Sequence, residues 1–173
     1  IMCTHLGWVS PILLMLLGTN AAAQVSNDDC SGATALVAGA NGPFSSVGAT
    51  MSPGAFSCSS LVGADVWFVY VVTTTGTLAI DNCGSTFAQY LAAYNGNAGC
   101  GALVSLLCQN ANCATVYVPV SAGDAVFLRA GGASGATGTI YLNVTEIPPP
   151  ANDDCSGALP IVAGTSAIFS TLG

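Results

Sequence analysis

Short runs in which apolar and polar residues alternate with period two recur along this chain, each bounded by Gly, Asn, Asp or Ser. Residues 76–82 (GTLAIDN) place Leu78 and Ile80 on one face, and residues 138–145 (GTIYLNVT) do the same for Ile140, Leu142 and Val144. Residues 115–120 and 125–130 read as neighbouring strands joined by the turn Ser121-Ala122-Gly123-Asp124. The run DVWFVYVV (65–72) is apolar on both faces, which predicts a central strand covered on each side. Weaker β-prone runs lie at 44–50, 90–94 and 103–108. Sustained helical periodicity is missing, and only residues 31–37, after Asn27-Asp28-Asp29, predict a short helix. About eight strands at this spacing predict an all-β fold, an antiparallel two-sheet sandwich of jelly-roll-like form.

The first 23 residues read as an address. The apolar core Pro11-Ile12-Leu13-Leu14-Met15-Leu16-Leu17 is followed by Ala21-Ala22-Ala23, the small-residue pattern of a secretory signal peptide. The apolar run is shorter than the roughly 20 residues of a spanning helix, so no membrane span is expected in the mature chain. Export changes the reading of the cysteines. Those at 30, 58, 83, 100, 108, 113 and 155 are expected to form disulfides in an oxidising compartment. Asn27-Asp28-Asp29-Cys30-Ser31-Gly32-Ala33 recurs identically as Asn152-Asp153-Asp154-Cys155-Ser156-Gly157-Ala158, with further matches at Val37-Ala38-Gly39 and Val162-Ala163-Gly164. Residues 24–147 are therefore expected to be one complete repeat. Pro148-Pro149-Pro150 is a stiff linker, and 151–173 the truncated start of a second repeat in a longer array, leaving Cys155 without its mate. Six cysteines allow 15 pairings. Short closures favour Cys30–Cys58, Cys83–Cys113 and Cys100–Cys108.

Composition narrows the function. Of 173 residues, 5% are charged and 52% hydrophobic, with one Lys or Arg, eight Asp or Glu and a net charge of −7. A chain with one basic side chain cannot neutralise a run of phosphates, which excludes a nucleic-acid partner. Beyond residue 23 there is no His and no Lys. Nucleophile–base pairs of the Ser–His, Cys–His or Ser–Lys kind cannot be assembled there, and the expectation is a protein that is not an enzyme. Arg129, the one permanent cation, is expected to pair with a carboxylate.

The combination NDDC (27–30), DVWF (65–68), Cys83-Gly84, the Cys100–Cys108 spacing and Ala122-Gly123-Asp124 before a strand pair resembles cysteine-rich β-sandwich repeats of large secreted bacterial proteins. These are similar to the bacterial pre-peptidase C-terminal domain. The resemblance covers about 27–147 and implies accessory work: modules, often calcium-stabilised, that aid secretion, adhesion or substrate attachment. Two departures remove carboxylates, since Phe87-Ala88-Gln89 stands for the usual Phe-Asp-Thr, and Cys108-Gln109-Asn110-Ala111 for Cys-Asn-Asp-Asp. Calcium wants several anionic oxygens, so the departures imply poor binding at those loops.

Asp28, Asp29 and Asp65 remain candidate calcium ligands, set against a helix start with Asn27 as cap for the first two and a turn or hydrogen-bonding role for Asp65. Trp67, Tyr117 and Tyr141, with Phe127, are candidate stacking residues for a sugar, set against ordinary core and cross-strand packing. The expected function is a structural or adhesive repeat partnered by neighbouring repeats of its own chain. The alternative is an accessory module binding surface polysaccharide or protein.

Overall fold

The computed structural model describes residues 24–54, 58, 62–160 and 163–164; the expected signal peptide lies outside them. Among the described residues nine strands follow in order: β1 (Thr34–Ala35), β2 (Gly39–Ser45), β3 (Val62–Val71), β4 (Gly76–Asp81), β5 (Gln89–Asn95), β6 (Val104–Gln109), β7 (Thr115–Val120), β8 (Ala125–Ala133) and β9 (Thr139–Ile147). They form a five-stranded sheet, β1-β3-β8-β5-β6, and a four-stranded sheet, β2-β9-β4-β7. All pairings are antiparallel except the short parallel contact of β1 with β3. The expected two-sheet sandwich is present.

Period-two alternation decides what lies between the sheets. Val66, Phe68 and Tyr70 of β3, Leu91 and Ala93 of β5, and Val126, Leu128 and Ala130 of β8 face Leu78 and Ile80 of β4, Val116 and Val118 of β7, and Ile140, Leu142 and Val144 of β9. Burying each large side chain contributes roughly 1.5–3 kcal/mol.

Three expectations about the secondary structure are corrected. β7 and β8 are not neighbours: β7 pairs with β4 and β8 with β3 and β5, so the Ser121–Asp124 turn steps from one sheet to the other. A hairpin would set both apolar stripes on one face, whereas here they meet across the core. The turn is held by the Ser121 amide donating to the Asp124 carboxylate and by Gly123, at φ +94°, donating to the Val72 carbonyl. The predicted helix at 31–37 is instead a 3-10 turn at Cys30–Gly32 followed by β1. The backbone of β3 offers Thr34 to Leu36 ladder partners that a seven-residue helix containing Gly cannot match. The strand expected at 44–50 lies at 39–45. It is an edge strand, where Gly42 and Pro43 are tolerated, and the chain turns at Ser46–Ala49.

The disulfides are Cys30–Cys100, Cys58–Cys108 and Cys83–Cys113. Only the last matches the expected set. Cys100 and Cys108 cannot join each other because extended β6 lies between them, at about 3.3 Å per residue. Cys30 meets Cys100 in the β5–β6 connection, and Cys58 is carried across the five-stranded sheet to Cys108 on its far edge strand. The bridges span 70, 50 and 30 residues. Chain-entropy arithmetic assigns roughly 3.5–4.5 kcal/mol to each, more than the shorter closures would give.

A polar clamp joins the sheets at one end. Glu146 of β9 accepts from the Tyr70 hydroxyl (2.9 Å), the Thr73 amide (2.6 Å) and the Thr73 hydroxyl (2.7 Å). Burial raises the pKa of Glu146, but these donors outweigh it and hold the carboxyl at about 2; burial and the facing carboxylate push Tyr70 to about 12.

Two outcomes are expected. Peptide mapping of unreduced protein will recover the 30–100, 58–108 and 83–113 linkages. The contribution of Glu146 is present above its ordinary value of 4.5 and is lost as pH falls toward 2. Denaturation midpoints measured from pH 6 to about pH 2 will therefore fall less steeply in Glu146→Gln than in the parent, because the variant lacks that titration.

Candidate functional site

The most elaborate polar centre lies on the outer face of the five-stranded sheet. Register places Trp67, Arg129, Ala92 and Cys108 side by side across β3, β8, β5 and β6. The residues inward of this row fill the core, so these side chains point away from it. Trp67, Arg129 and Ala92 are nevertheless buried and Cys108 half-buried, and residues 50–54 and the opening segment at 24–30 bond across Trp67 and Arg129.

Arg129 and Asp65 make a buried ion pair at 2.8 Å. The guanidinium also donates to the carbonyls of Ser52 and Gly54, each at 2.8 Å, and lies 5.4 Å from the Trp67 ring. Asp65 accepts further bonds from the Ser52 amide (3.0 Å) and hydroxyl (2.5 Å), while the Trp67 indole donates to that same hydroxyl (2.8 Å). Every oxygen and nitrogen used here serves to fasten the 50–54 segment to β3 and β8. The expectation that Arg129 pairs with a carboxylate is met, and the partner is Asp65.

Asp28 performs the same task one step away. Its carboxylate accepts from the Thr50 amide (2.5 Å) and hydroxyl (2.6 Å) and from the Gln24 amide. Burial works to raise its pKa, yet the Thr50 and Gln24 bonds win and hold it below the usual carboxylate value. Asn27 zips to β3, its side chain donating to the Trp67 carbonyl at 3.0 Å and its own carbonyl accepting from the Trp67 amide at 2.8 Å. Asp29 is exposed and is the N-cap of the 3-10 turn without a side-chain capping bond.

Asp28, Asp29 and Asp65 do not converge as a calcium set. The oxygens of Asp28 and Asp65 are taken by protein donors, and Arg129 already supplies the cation at Asp65. No group of three His, Cys, Asp or Glu side chains among the described residues is placed to hold a metal ion.

The aromatic candidates separate as well. Trp67 is buried on the five-stranded sheet, tilted against Tyr94 at 5.7 Å, and Phe127 is half-buried on the same sheet. Tyr117 and Tyr141, at 58% and 38% exposure, belong to β7 and β9 of the opposite sheet. No common platform unites the three. The structure does bring Asp29 and Trp67 together with Ser31, Ser52 and the Cys30–Cys100 bridge, around an open cavity of about 370 Å³.

Sequence reasoning missed Ser52 and Thr50, whose segment carries no periodicity. It also missed Asn82 and Gln89, which are buried between the sheets. A signal for Asn82 existed, since it continues the inward register of Leu78 and Ile80.

No protein-family model and no curated protein matches the chain. Among the described residues no helix is long and apolar enough to cross a membrane.

Removing one partner of the Asp65–Arg129 pair leaves a buried charge uncompensated. Arg129→Met and Asp65→Asn are each expected to lose about 3–5 kcal/mol in urea denaturation. The double variant will lose less than the sum of the two, which a double-mutant cycle checks directly.

Proposed function

We propose that the chain is a non-catalytic extracellular module, a structural or adhesive repeat of a larger secreted or cell-surface protein of the pre-peptidase C-terminal-like kind. The observation that carries this reading is the second copy of the opening segment. Asn152–Ala158 repeats the sequence of Asn27–Ala33 and also its backbone. The 3-10 turns Cys30–Gly32 and Cys155–Gly157 are preceded by Asp29 at φ −109°, ψ 152° and Asp154 at φ −93°, ψ 151°. Each is closed by the same hydrogen bond, the Gly amide donating to the Asp backbone carbonyl, 2.9 Å in both. A sequence block that adopts one conformation twice is the hallmark of a module that recurs along a chain.

Chemistry supports the holding role. The most buried charges, Asp65 and Arg129, are consumed in fastening a loop, and three long-range disulfides oppose unfolding in an oxidising setting. The leader-like residues 1–23 together with these bridges support secretion. An accessory binding role is the second reading, favoured by the cavity where Asp29 and Ser31 meet the buried Trp67.

Exported protein is expected to begin at Gln24 and to carry the 30–100, 58–108 and 83–113 disulfides, as read by intact-mass and peptide-mapping analysis. Incubated with insoluble polysaccharides and with protein polymers, it releases no soluble product. Turnover of any of them would overturn the non-catalytic reading. Retention on one polymer, abolished by Asp29→Ala, would select the accessory role over the purely structural one.

A further inference from the structure

The three disulfides differ in access. Cys30, Cys58, Cys100 and Cys108 are half-buried, whereas Cys83 and Cys113 are both exposed. Cys83 stands two residues past Asp81 and Cys113 two residues before Thr115, the pair that ends the β4–β7 ladder. Their bridge therefore staples the end of a ladder whose second strand is a sheet edge. Cys113 also lines a half-open groove between residues 82–88 and 112–113, and no charged side chain stands in its walls. Asp81, the acid nearest in sequence, accepts from the Cys83 backbone amide and the Asn143 side chain. The cavity beside Cys30–Cys100, in contrast, includes the exposed carboxylate of Asp29, which repels an approaching thiolate.

Backbone strain falls on the same bridge. Cys113 has φ +53°, in the left-handed region where a residue bearing a Cβ is held at a cost, and no other bridged cysteine is so placed. The two sides that it joins are unequally anchored. The 82–88 connection is fastened to β9, with Ser85 Oγ accepting from the Tyr141 amide and the Thr86 amide donating to the Thr139 carbonyl, each at 3.0 Å. The turn at 110–114 is met across the gap by the Gln89 amide, which donates to Asn112 Oδ1 at 3.2 Å. Opening the bridge relaxes Cys113 and loosens that turn, while the ladder and the core keep their own bonds.

We propose that Cys83–Cys113 is a redox-sensitive latch, opened by a small external dithiol ahead of the other two bridges and without unfolding. A thiolate of the dithiol attacks Cys113 Sγ from the groove. A bond forms between those two sulfurs, the bond to Cys83 Sγ breaks, and its electron pair leaves on Cys83, which takes up a proton. The second sulfur of the dithiol then displaces Cys113 as a thiol and closes the reagent into a disulfide. The protein gains two electrons and two protons, and the dithiol loses them. The latch goes beyond the holding role and does not depend on it.

Treatment of the whole chain with dithiothreitol, with alkylation at intervals and peptide mapping, tests this. The expected result is labelling of Cys83 and Cys113 about tenfold or more faster than of Cys30, Cys58, Cys100 and Cys108. The singly opened protein should keep a cooperative melt, with backbone amide NMR shifts centred on residues 83–84, 89 and 110–114. The double variant Cys83→Ser, Cys113→Ser should fold and match the opened protein in those spectra. Labelling of the 30–100 or 58–108 pair first, or of all six cysteines together, would overturn the proposal. Loss of the cooperative melt on opening, shifts spread through the core strands, or a double variant that does not fold would overturn it equally.

Discussion

The pairing of Arg129 with Asp65 is the constraint on which the outer half of this molecule depends. A sheet with a buried Trp and a lone guanidinium on its solvent side needs a cover, and the cover needs partners for its own backbone. Arg129 meets both needs, because a planar guanidinium reaches two loop carbonyls and a carboxylate together. Ser52 completes the centre by serving Asp65 and Trp67 with one hydroxyl. Ion pairs of this kind contribute less to net stability than to uniqueness, since both charges are desolvated to form them. Here the uniqueness concerns where the β2–β3 segment lies.

The disulfides extend the same logic to longer range. Cys58–Cys108 ties that covering segment to the far edge of the sheet, while Cys30–Cys100 fixes the opening segment against the β5–β6 connection. Each joins parts distant in sequence that the sheet has already brought together. The result is a β sandwich with its larger sheet covered on both faces at the Trp67 end. Elsewhere that sheet is open, as at exposed Val71. Asp28 and Asp65, which resemble metal ligands in the sequence, act as acceptors for local amides and hydroxyls and, at Asp65, for the Arg129 guanidinium.

Much of the fold was legible as period two. Leu78, Ile80, Ile140, Leu142 and Val144 face the core as their alternation requires, and the cover expected on both faces of the 65–72 run is present at Trp67 but not at Val71, which is exposed. Pairing was not legible. The turn at Ser121–Asp124 has the composition of a hairpin but joins strands of different sheets, and nothing local distinguishes the two. The 39–45 strand was hidden by Gly42 and Pro43, which an edge position forgives. The candidate site was half legible: Asp28, Asp65, Trp67 and Arg129 stood out by type, whereas Thr50 and Ser52, which organise them, did not.

The amino-acid sequence alone determined the class of fold and the duplicated turn at 27–33 and 152–158, because each rests on local periodicity or local hydrogen bonding. The tertiary structure decided which cysteines meet, that Asp65 serves Arg129, and that Asn82 and Gln89 are buried. Those outcomes depend on strand order across two sheets, and strand order is set by long-range packing that leaves no periodic trace in the chain.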